Sequence, residues 1–134
     1  MEIEFFLPMI PPTCTHQEKR VTRIKGRMIF YDPPEVKDAR VKLLAHLTVK
    51  KEKAWFLHGP IRLITKWCFP IQGNHGDGEY RISKPDTDNL QKMLKDCMTQ
   101  AGFWKDDAEV ASEIVEKFWA KVPGIYIKAE ELGA

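Results

Sequence analysis

No run of apolar residues in this chain approaches the ~20 that a membrane-spanning helix requires, so no membrane partner is expected. Cysteine is scarce and unpaired: Cys14, Cys68 and Cys97 are odd in number and widely spaced. That argues against a disulfide framework, and the lack of a Cys-x-x-Cys pair argues against a thiolate zinc site. Charge of one sign is missing too, since 21 basic against 19 acidic residues leave a net charge of +2. Bulk attraction therefore does not by itself demand a nucleic-acid partner. His16, His46, His58 and His75 are scattered, and none has a second ligand at metal spacing. The loop "IQGNHGDGEYRIS" holds Gly73, Gly76 and Gly78 but not the spacing of a phosphate loop. It predicts a turn, and no nucleotide cofactor. The opening "MEIEFFLPMIPP" carries acids where a secretory leader would carry lysines. The expectation is a cytoplasmic protein with free thiols.

What is present fits one domain spanning 1–134, with 43% hydrophobic and 30% charged residues, a composition able to bury a core. "EIEFFL" predicts an opening strand, stopped by Pro8 and the pair Pro11–Pro12. A basic stretch follows, with Gly26 as a turn and "RMIFY" as a short strand. "DPPEVKDARVKLLAHL" predicts a helix, with Asp32 as cap, Pro33 in its first position and Glu35 completing a capping box. Its Val36, Ala39, Leu43, Leu44 and Leu47 share one face. "PIRLITKWCFP" alternates as a half-buried strand, with Ile61, Leu63, Trp67 and Phe69 on one side and Arg62 and Lys66 on the other. "VASEIVEKFWAK" and "GIYIKAE", joined through Val122–Pro123–Gly124, suggest a closing antiparallel hairpin. The fold class predicted is α/β in the mixed α+β sense, a small mixed sheet covered by helices.

"KRVTRIKGR" holds Lys19, Arg20, Arg23, Lys25 and Arg27 with no acid among them. A positive loop of this kind can contact phosphates even on a nearly neutral protein, although solvated hairpins also carry such runs. Lys117 and Lys121 offer further phosphate contacts on the penultimate strand, although ordinary solvent-facing strand lysines are the stronger expectation.

The stretch "KPDTDNLQK" raises the sharper question. Leu90, Met93, Leu94, Cys97, Met98 and Ala101 fall at helical offsets, and Gly102 is placed to end the helix. Asp88 is then the natural cap, with Gln91 at the capping-box position. Asp86 and Asp88 point to one side of an extended lead-in. Lys92 lies one turn above Asp88, and Asp106 and Asp107 can swing back after "GFWK". Capping explains one carboxylate and leaves Asp86 over. Carboxylates gathered at one point repel unless a cation sits among them, and Mg²⁺ suits such oxygen donors. A lysine nearby would steady charge on a phosphoryl group. The chemistry points to metal-assisted phosphodiester hydrolysis.

"KPDTDNLQKMLKDCMTQAGFWKDDAEV", Lys84 to Val110, resembles the core signature of the RusA family of Holliday-junction resolvases. The pattern is an aspartate pair flanking one residue, Asn-Leu, a lysine, a helix, and Trp-x-Asp-Asp. The proline-stopped first strand, the basic stretch, the helix after "YDPP" and the closing "VEK" and "PGIYI" agree in order. The resemblance implies a RusA-like fold, with Asp86, Asp88 and Asp107 as metal-binding carboxylates and Lys92 as the catalytic lysine. Asn89 and Asp106 would support them. It implies Mg²⁺, with Mn²⁺ substituting, and a homodimer cutting opposed strands of a four-way DNA junction in recombination and repair, often from a prophage. Lys84, in "RISKPD", joins the basic run as an expected DNA contact, though no aromatic stands closer to the motif than Tyr80. Two other functions stay open: a branched-DNA-binding prophage remnant without catalysis, and a small-nucleotide phosphohydrolase. The second lacks any phosphate loop or base-stacking motif to support it.

Overall fold

A computed structural model describes residues 1–14, 20–31 and 34–133, with the backbone alone for 20–24 and 29–31. The elements run β1 (Glu2–Leu7), β2 (Arg20–Ile24), β3 (Arg27–Tyr31), α1 (Pro34–Lys51), β4 (Ile61–Pro70), α2 (Thr87–Ala101), β5 (Val110–Ala120) and β6 (Gly124–Glu131), with a 3-10 turn at Asp107–Glu109 before β5. Asp32 and Pro33, the expected cap and first position of α1, lie outside the described residues, as does Lys19.

The main sheet has the order β1-β6-β4-β5. β4 takes the centre because it has the longest apolar alternation: Ile61, Leu63, Thr65, Trp67 and Phe69 are all buried on one face. Val36, Leu43 and Leu47 of α1 and Leu90, Met93, Leu94, Cys97 and Met98 of α2 pack over that face in one core with Ile125, Ile127 and Ala129 of β6. The opposite face carries ion pairs such as Arg62–Glu130 at 3.4 Å and Lys128–Glu2 at 3.5 Å, as expected for a sheet with one solvated side. The stripe predicted for α2 is therefore its buried face. Gly102 ends the helix in the left-handed conformation (φ 89°), and the Phe103 N–H closes onto the Met98 carbonyl. No described helix is long and apolar enough to cross a membrane.

The closing hairpin is not formed. β5 pairs parallel with β4 on one side, and β6 pairs antiparallel with β4 on the other. The link 121–123 is long enough for this: four Cα steps reach about 14 Å, while two strand spacings need about 10 Å. Alternation in the sequence gave the faces of β5 and β6 but not their neighbours. The consequence for function is the β4–α2–β5 crossover, in which α2 runs back antiparallel to β5.

β2 and β3 form a separate two-stranded ribbon, turning at Lys25 (φ 52°) and Gly26 (φ 78°). Two successive positive φ values are what a tight hairpin turn needs. Lys25 and Arg27 are exposed at this tip.

Candidate metal centre and nucleic-acid interface

α2 begins two residues earlier than its sequence suggests. Asp86, not Asp88, occupies the N-cap position (φ −72°, ψ 150°), and its carbonyl accepts from Leu90 N–H at 3.1 Å. Its carboxylate makes no capping bond. Asp88 is an acid of the first turn, where the helix dipole favours it. Gln91 does not complete a capping box. It is buried, and its Oε1 accepts from Thr65 Oγ1 at 2.9 Å, which in turn accepts from Trp67 Nε1 at 3.0 Å. A polar residue on the buried stripe was needed to satisfy a threonine on the inner face of β4.

Asp86 and Asp88 are thus two exposed carboxylates at one end of α2, with the exposed Lys92 on the following turn. None of the three has a side-chain hydrogen bond or ion pair among the described residues. Their neighbours differ. Lys95 is tied to Glu113 at 2.6 Å, and Asp96 to Arg40 at 3.4 Å. Asn89 is half-buried, and its Oδ1 is enclosed without a partner.

The second acidic pair divides in the same way. Asp106 caps the 3-10 turn: its Oδ1 accepts from Ala108 N–H at 2.8 Å, and Glu109 Oε2 reaches back to Asp106 N–H at 3.3 Å. Glu109 also accepts from Gly59 N–H at 3.0 Å, and that bond is the main reason its carboxyl lies below the usual range. Asp107 has no side-chain hydrogen bond or ion pair among the described residues. Asp106→Ala should lower stability by about 1 kcal/mol, the worth of a cap, and Asp107→Ala by clearly less. Urea unfolding of the two variants compares them.

Within one chain the two acidic groups do not converge. β5 starts beside the start of β4, with Val110 opposite Ile61. Only at Lys117 does β5 come level with the lead-in to α2, where Lys117 Nζ bonds the Pro85 carbonyl. Asp107 therefore stands at the far end of α2, whose 15 residues make a rod about 22 Å long. The expected swing of Asp107 back to Asp86 and Asp88 does not occur inside the chain. Among the described residues no three His, Cys, Asp or Glu side chains form a ready metal cluster.

Lys117 is not the solvent-facing lysine its strand position suggested. Its ammonium bonds the carbonyls of Ser83 and Pro85, each at 2.7 Å. Burial lowers its pKa and the nearby Arg81 charge adds to this, against the opposing pull of Asp86. The Arg81 guanidinium lies over the rings of Phe69 and Trp119, at 4.2 and 4.6 Å from their centres, and donates to the Lys84 carbonyl. Lys84 is exposed. Lys121 is exposed as expected, with its backbone N–H on Asp77. Arg20 and Arg23 lie on β2, and Lys25 and Arg27 at the ribbon tip, so these four expected DNA contacts share one ribbon. Cys97, whose thiol burial raises to about 11, is a packing residue rather than a nucleophile.

The model of the RusA endodeoxyribonucleases matches residues 9–130. The chain belongs to the RusA family of endodeoxyribonucleases. It is also 32% identical, over 110 residues covering 81% of each protein, to the crossover junction endodeoxyribonuclease rusA of Lactococcus phage r1t. The matched span of the RusA model contains both acidic groups, Lys92 and the β2–β3 ribbon.

Proposed function

We propose that this RusA-family chain is a Mg²⁺-dependent endodeoxyribonuclease that resolves four-way DNA junctions as a homodimer, acting in recombination and repair. One observation carries the reading: the signature carboxylates Asp86, Asp88 and Asp107 are free of structural work, while their neighbours Asp96, Asp106 and Glu109 are all engaged.

The donor set fits a hard divalent ion, since the carboxylates of exposed Asp86 and Asp88 and half-buried Asp107 have no competing side-chain hydrogen bonds among the described residues, and free carboxylate oxygens are what Mg²⁺ takes. When bound, such an ion lowers the pKa of a water and polarises the phosphoryl group. Asp86, Asp88 and Asp107 would hold it. Lys92, one turn along α2 from Asp88, donates to the phosphoryl oxygens as negative charge builds on them. Its exposed ammonium, free of any carboxylate among the described residues, is available for this. Asn89 and Asp106 support the two acidic groups from within their turns.

The separation of Asp107 from Asp86 and Asp88 supports a dimeric site. β5 is an edge strand, and below the Tyr80–Phe118 bridge its outer side carries no strand among the described residues. A second copy crossing that edge antiparallel would carry its Asp107 toward the first copy's Asp86. Two-fold symmetry then gives two equal sites, suited to two opposed strands of a junction. The ribbon and Lys84, doubled in the dimer, would track phosphates, so junction binding should weaken steeply with salt.

The test is a synthetic four-way junction incubated with Mg²⁺. Paired, symmetric, ligatable nicks that EDTA prevents, with linear duplex left uncut, are expected. A junction that is bound but never nicked, with Mg²⁺ or Mn²⁺, would leave the non-catalytic branched-DNA binder as the function.

A further inference from the structure

Three consecutive carbonyls precede Asp86, and each is held by a side-chain cation. Lys117 Nζ bonds Ser83 O and Pro85 O at 2.7 Å each, and Arg81 Nη2 bonds Lys84 O at 2.5 Å. The two cations come from different places. Lys117 stands on β5, anchored by the sheet, and Arg81 is held by packing over the neighbouring rings of Phe69 of β4 and Trp119 of β5. A backbone bond from Arg81 N–H to Lys117 O at 2.9 Å joins them.

Residues 83–85 belong to no helix or strand, so no ladder satisfies their carbonyls or fixes their path. The Asp86 carboxylate makes no capping bond, and no side-chain hydrogen bond among the described residues orients it. Its direction is therefore set by the backbone leading into it, and that backbone is set by Lys117 and Arg81. We propose that Lys117 and Arg81 are positioning residues for the ion site: their grip on the 83–85 carbonyls aims the Asp86 and Asp88 carboxylates at a common divalent cation. The inference rests on the metal reading above and names residues which that reading does not use.

Outer partners that orient metal ligands typically affect ion affinity by about 10–100-fold. The positive charge of Lys117 acts in the opposite sense, repelling an ion. Positioning and charge are separated by comparing Lys117→Met, which removes both, with Lys117→Arg, which keeps the charge and two donors. Arg81→Lys keeps charge but loses the planar stacking and the fixed fork.

Mn²⁺ binding to the purified full-length protein would be followed by the loss of the free-ion electron paramagnetic resonance signal, beside thermal melting without metal. Lys117→Met and Arg81→Lys should shift the Mn²⁺ midpoint upward about tenfold or more, and Lys117→Arg should recover most of it. Cleavage at saturating Mn²⁺ should return toward wild type in the same variants, because the carboxylates and Lys92 are intact. A merely structural role would lower the melting temperature and leave the midpoint in place. An unchanged midpoint in folded Lys117→Met or, should that variant not fold, in Arg81→Lys, overturns the inference. So does a Lys117→Arg protein no better than Lys117→Met. Failure of the wild type to bind Mn²⁺ at all would instead remove the metal reading itself, and this inference with it.

Discussion

Asp88→Asn should abolish cleavage of a four-way junction, by about a thousandfold or more, while the protein still binds the junction. The size follows from what a directly bound ion supplies. Several kcal/mol of charge stabilisation at the phosphoryl group depend on it, and ~4 kcal/mol is about three orders of magnitude in rate. Folding should survive, because Asp88 is exposed and makes no side-chain bond among the described residues. Only the favourable helix-dipole contribution of a first-turn acid is lost, about 0.3–1 kcal/mol. Junction binding should hold or tighten, since removing an acid beside phosphate relieves repulsion. A gel-shift titration run beside a nicking assay separates the two effects. Undiminished cleavage by Asp88→Asn would refute the assignment of this residue to the ion.

The elements that set the faces of this fold are legible in the sequence. The 0, 3, 4, 7, 8 spacing from Leu90 to Met98 marks the buried side of α2, and the alternation from Ile61 to Phe69 marks that of β4. Both signals are local, fixed by the period of one element. Strand neighbours are not local. Val122–Pro123–Gly124 looks like a hairpin turn, yet β4 lies between the strands it joins. A pattern of alternating residues says which side is wet but not which strand lies alongside.

The candidate site was legible as a set of residues and not as an arrangement. The signature names Asp86, Asp88, Lys92 and Asp107, but their spacing does not reveal that α2 keeps the last of them at its other end. Nor does it show which member of an acidic pair is structurally engaged. Asp106 and Asp107 are adjacent and chemically identical, and only the hydrogen bonds of the 3-10 turn tell them apart. Lys92 and Lys95 pose the same problem three residues apart, resolved by Glu113 on β5. Lys117 was hidden because its partners are backbone carbonyls, which leave no trace in side-chain pattern.

Separating Asp107 from Asp86 and Asp88 by a helix length makes a prediction that no single substitution can test. Asp88→Asn and Asp107→Asn should each be inactive alone, yet a mixture allowed to exchange subunits should regain nicking. If each site takes Asp86 and Asp88 from one copy and Asp107 from the other, a mixed dimer holds one site with both lesions and one with neither. Random exchange makes about half the dimers mixed, so about a quarter of all sites are intact, following from two-fold symmetry. The nicks should be single rather than paired, since only one site of each mixed dimer works. If each site were instead built within one chain, every site in the mixture would carry a lesion and activity would stay at background. Mass-tagged subunits confirm that exchange has taken place. Background activity in a fully exchanged mixture would place Asp107 with its own chain's Asp86 and Asp88, and would require α2 and the 3-10 turn to rearrange on binding DNA.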